Sequence, residues 1–142
     1  MKVSAKTDYA CRALLELALR WPSSTPLRVN DIAEHQKIPM KFLIHILIHL
    51  KQLGFVESIR GKKGGYMLVK VPKEIRLSDI VRSFEQKNPS NQIGLNARHK
   101  TDVVGSLWRE ADKVLAKFME GVTFEDICQL QRRLEDIPMF AI

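Results

Sequence analysis

A mainly α fold with one small β-wing is predicted by three features of this chain. Apolar residues recur at helical spacing along most of its length, a single glycine- and lysine-rich hairpin interrupts them near residues 56–71, and a long amphipathic stretch follows at 103–119. At 142 residues and 45% hydrophobic content the chain can bury one modest core, so one compact domain with an extension is expected.

The first helix is read from Tyr9, Ala13, Leu14, Leu17 and Ala18, capped by Thr7 or Asp8 and ending before Trp21 and Pro22. Leu27 to Val29 reads as extended, and Asn30 as the cap of a short helix from Asp31 to about Gln36. A tight turn at Lys37 and Ile38 follows, with Pro39 suited to the first turn of the next helix. That third helix runs to about Leu53 and stops at Gly54. Its stripe of Leu43, Ile46, Leu47, Leu50 and Leu53 faces the core, leaving Lys41, Ile44 and His45 on the opposite side.

The hairpin carries Arg60, Lys62 and Lys63 at its tip among Gly61, Gly64 and Gly65. Glycine permits positive φ and close backbone approach, and the cations are not spent on packing, which suits a phosphate backbone. A plain hairpin turn or a charged, solvated edge would look similar in isolation. Short helix, tight turn, longer helix and cationic hairpin in that order, however, make a winged helix-turn-helix.

The second wing strand is expected over Tyr66 to Val71, Pro72 breaks it, and Ser78 reads as the cap of a helix with Leu77, Ile80, Val81 and Phe84. Asn88 to Thr101 is polar and reads as a loop. Val104, Leu107, Trp108, Ala111, Leu115 and Phe118 belong to the long helix that follows, and its apolar surplus is expected to form a homodimer. Gly121 ends that helix, and Thr123 with Asp126 makes a capping box for the last one, through Ile127, Leu130 and Leu134.

The net charge of +7 favours a polyanionic partner, nucleic acid foremost. No segment is long enough to span a bilayer, so no membrane partner is expected. Cys11 and Cys128 are the only cysteines, which excludes a disulfide framework and a four-cysteine metal site within one chain. The N-terminus lacks the apolar run of a signal peptide, and a cytoplasmic protein is expected. No nucleophile elbow, His-Glu-x-x-His, P-loop or dinucleotide fingerprint is found, so the chain does not read as an enzyme.

Tyr9 to Leu19, Ile32-Ala33-Glu34, Leu50 to Gly54, Gly54-Phe55-Val56, the Arg-Gly-x-x-Gly-Gly-Tyr wing at 60–66 and Leu77 to Phe84 carry a resemblance. They resemble the Rrf family of winged helix-turn-helix bacterial transcription regulators, typified by IscR, NsrR and CymR. The match is strong over the first 85 or so residues and weaker at Leu107-Trp108 and Val122-Thr123-Phe124.

The resemblance implies a homodimer on a palindromic double-stranded DNA operator, usually as a repressor. It places Lys41, Phe42, Ile44 and His45 in the major groove and Arg60, Gly61, Lys62, Lys63 and Gly64 at the wing, near the minor groove. Some relatives have glutamate where this chain has Ile44. An aliphatic side chain cannot accept from cytosine N4 but can pack on a thymine methyl, so a different operator is expected. The division read from the chain is a DNA-binding domain over 1–86, a polar loop over 87–101, and dimerisation helices with a tail over 102–142.

Many relatives hold an iron–sulfur cluster on three cysteines before the long helix. The corresponding positions fall near Ser90, Asn96 and Asp102 here, none of which supplies a thiolate, so neither cluster nor other cofactor is expected. Candidate sensing residues are Cys11, a small core residue or a ligand; Cys128, at a dimer contact or a redox thiol; and Asp8, a helix N-terminal charge here but a cluster ligand in some relatives. His45 and His49 have a spacing compatible with zinc, yet nothing near them completes a site, so no metal is expected. A metabolite or partner-protein effector is then the expected signal, with Asn88 to Thr101 and Pro138 to Ile142 as candidate contact surfaces. Two alternatives stay open: a winged-helix module that binds a protein partner, and a regulator whose cofactor sits on atypical ligands.

Overall fold

The computed structural model describes residues 3–85 and 102–136; the polar loop Asn88 to Thr101, with Ser90 and Asn96 in it, and the tail Pro138 to Ile142 lie outside them. Helix α1 spans Ala5–Leu19, α2 Val29–Gln36 and α3 Met40–Gln52. Strands β1, Val56–Ile59, and β2, Gly65–Leu68, form an antiparallel hairpin, and a 3₁₀ turn at Pro72–Glu74 leads into α4, Leu77–Phe84. Helices α5, Val103–Glu120, and α6, Phe124–Glu135, complete the fold.

Helix α1 lies at the centre, packed against α3, α4 and α6. Its Ala10, Ala13, Leu14 and Leu17 meet Leu43, Ile46, Leu47 and Leu50 of α3 in one cluster, which Ile32, Ile75, Ile80 and Phe124 close. Leu53, expected in the same stripe, is partly buried at its edge. Gly54 takes φ 84° and ends α3, the left-handed geometry that glycine adopts at no steric cost. The turn between α2 and α3 uses Lys37 at φ 54°, and the Ile38 N–H returns to the Ala33 carbonyl at 3.0 Å.

Several helix starts differ from the sequence reading. The cap of α1 is Ser4, whose hydroxyl accepts from the Thr7 N–H at 3.2 Å, rather than Thr7 or Asp8. Thr7 instead donates its buried hydroxyl to Glu85 Oε1 at 2.6 Å, and the Ser4 N–H reaches the same oxygen at 2.8 Å, tying α1 to the end of α4. Helix α2 starts at Val29 from Arg28, so Asn30 is in its first turn and caps nothing. Pro39 is the N-cap of α3, one residue ahead of the helix. Arg76, not Ser78, precedes α4, and the Asp79 carboxylate accepts from the Arg76 N–H at 2.9 Å. Ser4, Arg28 and Arg76 each also reach a distant part of the chain, at Glu85, the Lys62 carbonyl and the Glu120 carbonyl.

The wing has a third member. Leu27 exchanges two backbone hydrogen bonds of 2.9 Å with Tyr66, which joins the entry to α2 to the hairpin. Strand β2 stops at Leu68, short of the expected Val71, although the Val69 N–H still bonds the Phe55 carbonyl at 2.9 Å.

The C-terminal stretch has two distinct parts. Helix α5, capped by Asp102 through the Gly105 N–H at 3.1 Å, rests on α4 and leaves most of its length exposed. Helix α6 returns to the core through Phe124 and Cys128, both with no exposed surface. Its capping box forms as read: Thr123 Oγ1 accepts from Asp126 N–H at 3.2 Å and the Asp126 carboxylate from Thr123 N–H at 2.9 Å. Backbone bonds from Leu77 to Val122 and from Phe124 to Ile75 fasten this corner.

Candidate nucleic-acid interface

The hairpin register pairs Val56 with Leu68 and Ile59 with Gly65, leaving Arg60 to Gly64 as its tip. Gly61 sits at φ 114° and the Gly64 N–H closes the turn on its carbonyl at 3.0 Å. A Cβ at Gly64 would collide with the Ile59 carbonyl, and one at Gly65 with the Leu27 carbonyl. The glycines are therefore steric requirements of this turn. Arg60, Lys62 and Lys63 are exposed there.

Two side chains hold the wing to the helices behind it. Arg28 donates from Nη2 to the Lys62 carbonyl at 3.0 Å, and Lys51 of α3 donates from Nζ to Ser58 Oγ at 2.9 Å. Between α2 and the wing lies an open concavity of about 460 Å³, lined by Arg28, Asn30, Ser58, Ile59, Gly61 and Lys62. The first N–H groups of α2 add positive potential there. Among the described residues the ion pairs are Arg12–Asp8 and His35–Glu16, so none neutralises the wing cations. Arg28 escaped the sequence reading; its signal, a cation just ahead of a helix start, is too common to single out.

On α3, Lys41, Ile44 and His45 are all exposed, opposite the buried stripe. Phe42, grouped with them above, is half exposed but turned toward α1: with His45, Ile46, Ala5, Lys6 and Tyr9 it lines a groove of about 460 Å³. The Lys41 ammonium stands 5.4 Å from the Phe42 ring centre, which steers that cation toward the same edge.

The candidate sensing residues are dispersed. Asp8 pairs with Arg12 at 2.9 Å, one turn along the surface of α1. Cys11 is partly buried against the core; burial first, then the Asp8 carboxylate, push its thiol up to about 12, against the opposing pull of Arg12. Cys128 is buried against its own chain's core rather than in a dimer face, and burial raises its pKa too. A thiol held protonated is a poor nucleophile and metal ligand. His49 packs against Phe84 with the rings tilted by 53° and their centres 4.5 Å apart. Among the described residues no three His, Cys, Asp or Glu side chains come together as a metal site, and no helix is long and apolar enough to cross a membrane.

Along α5, Val104 is 57%, Leu107 61%, Trp108 49% and Phe118 63% exposed, with Ala111 and Leu115 partly covered. So large an apolar surface on one helix is unusual for a surface left to water.

A helix-turn-helix followed by a cationic wing is the arrangement of a DNA-binding regulator rather than an enzyme. Residues 3–130 match the family model for Rrf2, described as an iron-dependent transcriptional regulator, and the chain belongs to that family. It is 36% identical over 129 residues to slr0846 of Synechocystis sp. PCC 6803, named as an HTH-type transcriptional regulator, covering 89% of this chain and 87% of the relative. Two solved structures share the fold. T. potens IscR superposes with TM-score 0.80 and 26% identity, over 99% of this chain and 95% of that one. CymR, the global cysteine regulator of B. subtilis, gives 0.77 and 26%, over 92% and 98%.

Proposed function

We propose that this family member is a homodimeric repressor that binds a palindromic operator, with α3 in the major groove and the wing against the minor groove. The observation that carries the reading is the wing itself. Its cations are exposed, have no described carboxylate beside them, and are tied through Arg28 and Lys51 to the entry of α2 and to α3. Lys41 and His45 supply donors for phosphate or guanine, and Arg60, Lys62 and Lys63 neutralise phosphates. The exposed apolar row of α5 supports a second copy as its cover.

The test is selection of a preferred duplex from random DNA, followed by affinity measurements on it and on bulk DNA as salt is varied. Affinity should fall steeply with salt, and the selected site should be favoured by about a thousandfold or more. Equal binding to all sequences would overturn the reading of a sequence-specific regulator, and no appreciable binding to any duplex would leave the basic face to a protein partner.

The same reading includes no cluster of the three-cysteine kind. Such clusters rest on thiolates, whereas Asp102 uses its carboxylate to cap α5, Ser90 and Asn96 carry no sulfur, and Cys128 is spent in the core. The donor set does not fit the group, and the signal is assigned instead to a metabolite or a partner protein. Anaerobically purified protein should be colourless and free of iron; stoichiometric iron and sulfide would show atypical ligands at work.

A further inference from the structure

The exposed face of α3 is more apolar than phosphate contact requires. Met40, Ile44 and Ile48 follow one another at i, i+4 and i+8 and are 38%, 42% and 43% exposed. They stand apart from the stripe of Leu43, Ile46, Leu47 and Leu50 that the core buries. Cations border the row: Lys41 beside its start, and Lys51 beyond its end, where it reaches toward Ser58. An apolar row framed by lysines, on the helix next to the wing, calls for a polyanion that carries apolar groups.

We propose that Met40, Ile44 and Ile48 form a reading row for thymine, each packing on the 5-methyl group of a T·A pair. The inference rests on the placement of α3 in the major groove. Thymine presents the apolar group of the major-groove edge, whereas guanine, adenine and cytosine offer hydrogen-bonding atoms that an aliphatic side chain cannot use. Spacing adds a rule. Residues four apart on a helix are about 6 Å apart along its axis, and bases about 3.4 Å along a strand, so a helix lying along the groove meets every second base pair. Each half-site should therefore carry A·T pairs two steps apart, with Lys41 and His45 reading or anchoring beside them.

Full-length protein and its selected duplex test this directly. Each thymine is replaced singly by deoxyuridine, which removes only the 5-methyl group, and affinity is measured for wild type and for the exposed-site variants Met40→Ala, Ile44→Ala and Ile48→Ala. Loss of about fourfold is expected at thymines two steps apart, which corresponds to the ~0.8 kcal/mol of one buried methylene. At its own thymine each alanine variant should no longer distinguish thymine from uracil. If the selected duplex binds specifically but no deoxyuridine changes affinity by more than about twofold, the row reads nothing and the inference fails while DNA binding stands. Sensitivity that persists undiminished in all three variants also overturns it, since the methyls would then act through DNA shape. Failure to prefer any duplex would remove the reading of a sequence-specific regulator and this inference together.

Discussion

At the residue scale, the wing separates what glycine does from what lysine does. Gly65 is fixed by the Leu27 carbonyl, a backbone atom that cannot swing aside. Gly65→Ala should therefore cost about 1–3 kcal/mol of stability in urea unfolding and weaken DNA binding by displacing the tip. Lys63, exposed and unrestrained by any described carboxylate, should behave in the opposite way. Lys63→Ala should leave stability within about 0.5 kcal/mol of wild type. It should lower the salt dependence of a dimer's binding by about two, one for each protomer. A DNA titration at several salt concentrations with both variants distinguishes a structural from an electrostatic loss.

At the element scale, α6 depends on its first turn. Thr123→Ala removes the hydroxyl that accepts from Asp126 N–H and should cost about 1 kcal/mol. The Asp126 carboxylate is held below its usual value first by the Thr123 backbone N–H and then by the Thr123 hydroxyl. A carboxyl whose folded pKa is depressed binds fewer protons in the folded state than in the unfolded one. Its contribution is present above the ordinary value of 3.8 and is lost as pH falls through the folded value. Asp126→Asn should accordingly flatten the decline of stability below about pH 4 relative to wild type, as read from urea midpoints.

At the scale of the whole molecule, the proposed dimer depends on α5, which departs from the core that α6 rejoins. Replacing Leu107 and Phe118 together by aspartate removes apolar surface that is already exposed in the protomer, so helix content should be retained. The variant should sediment as a monomer and lose most of its affinity for a palindromic site, whose half-sites lie about 34 Å or a multiple apart. A dimer that survives this change would place the subunit contact elsewhere.

Features that one local requirement specifies uniquely could be read from the chain alone. The stripe of α3, the glycine stop at Gly54, the capping box at Thr123 and the cationic wing were legible because helical periodicity, positive φ and side-chain capping are local requirements. Roles that need a distant partner became visible once the chain was folded. Ser4 takes the α1 cap while its own N–H reaches Glu85, 81 positions away, and Arg28 reaches a wing carbonyl 34 positions on. Phe42, half exposed, lines a groove beside α1 with Tyr9, and Phe124 and Cys128, read as part of an extension, complete the core. The reason is physical: a polar group or an apolar ring can be satisfied in several ways locally, and the close packing of the folded chain selects one of them.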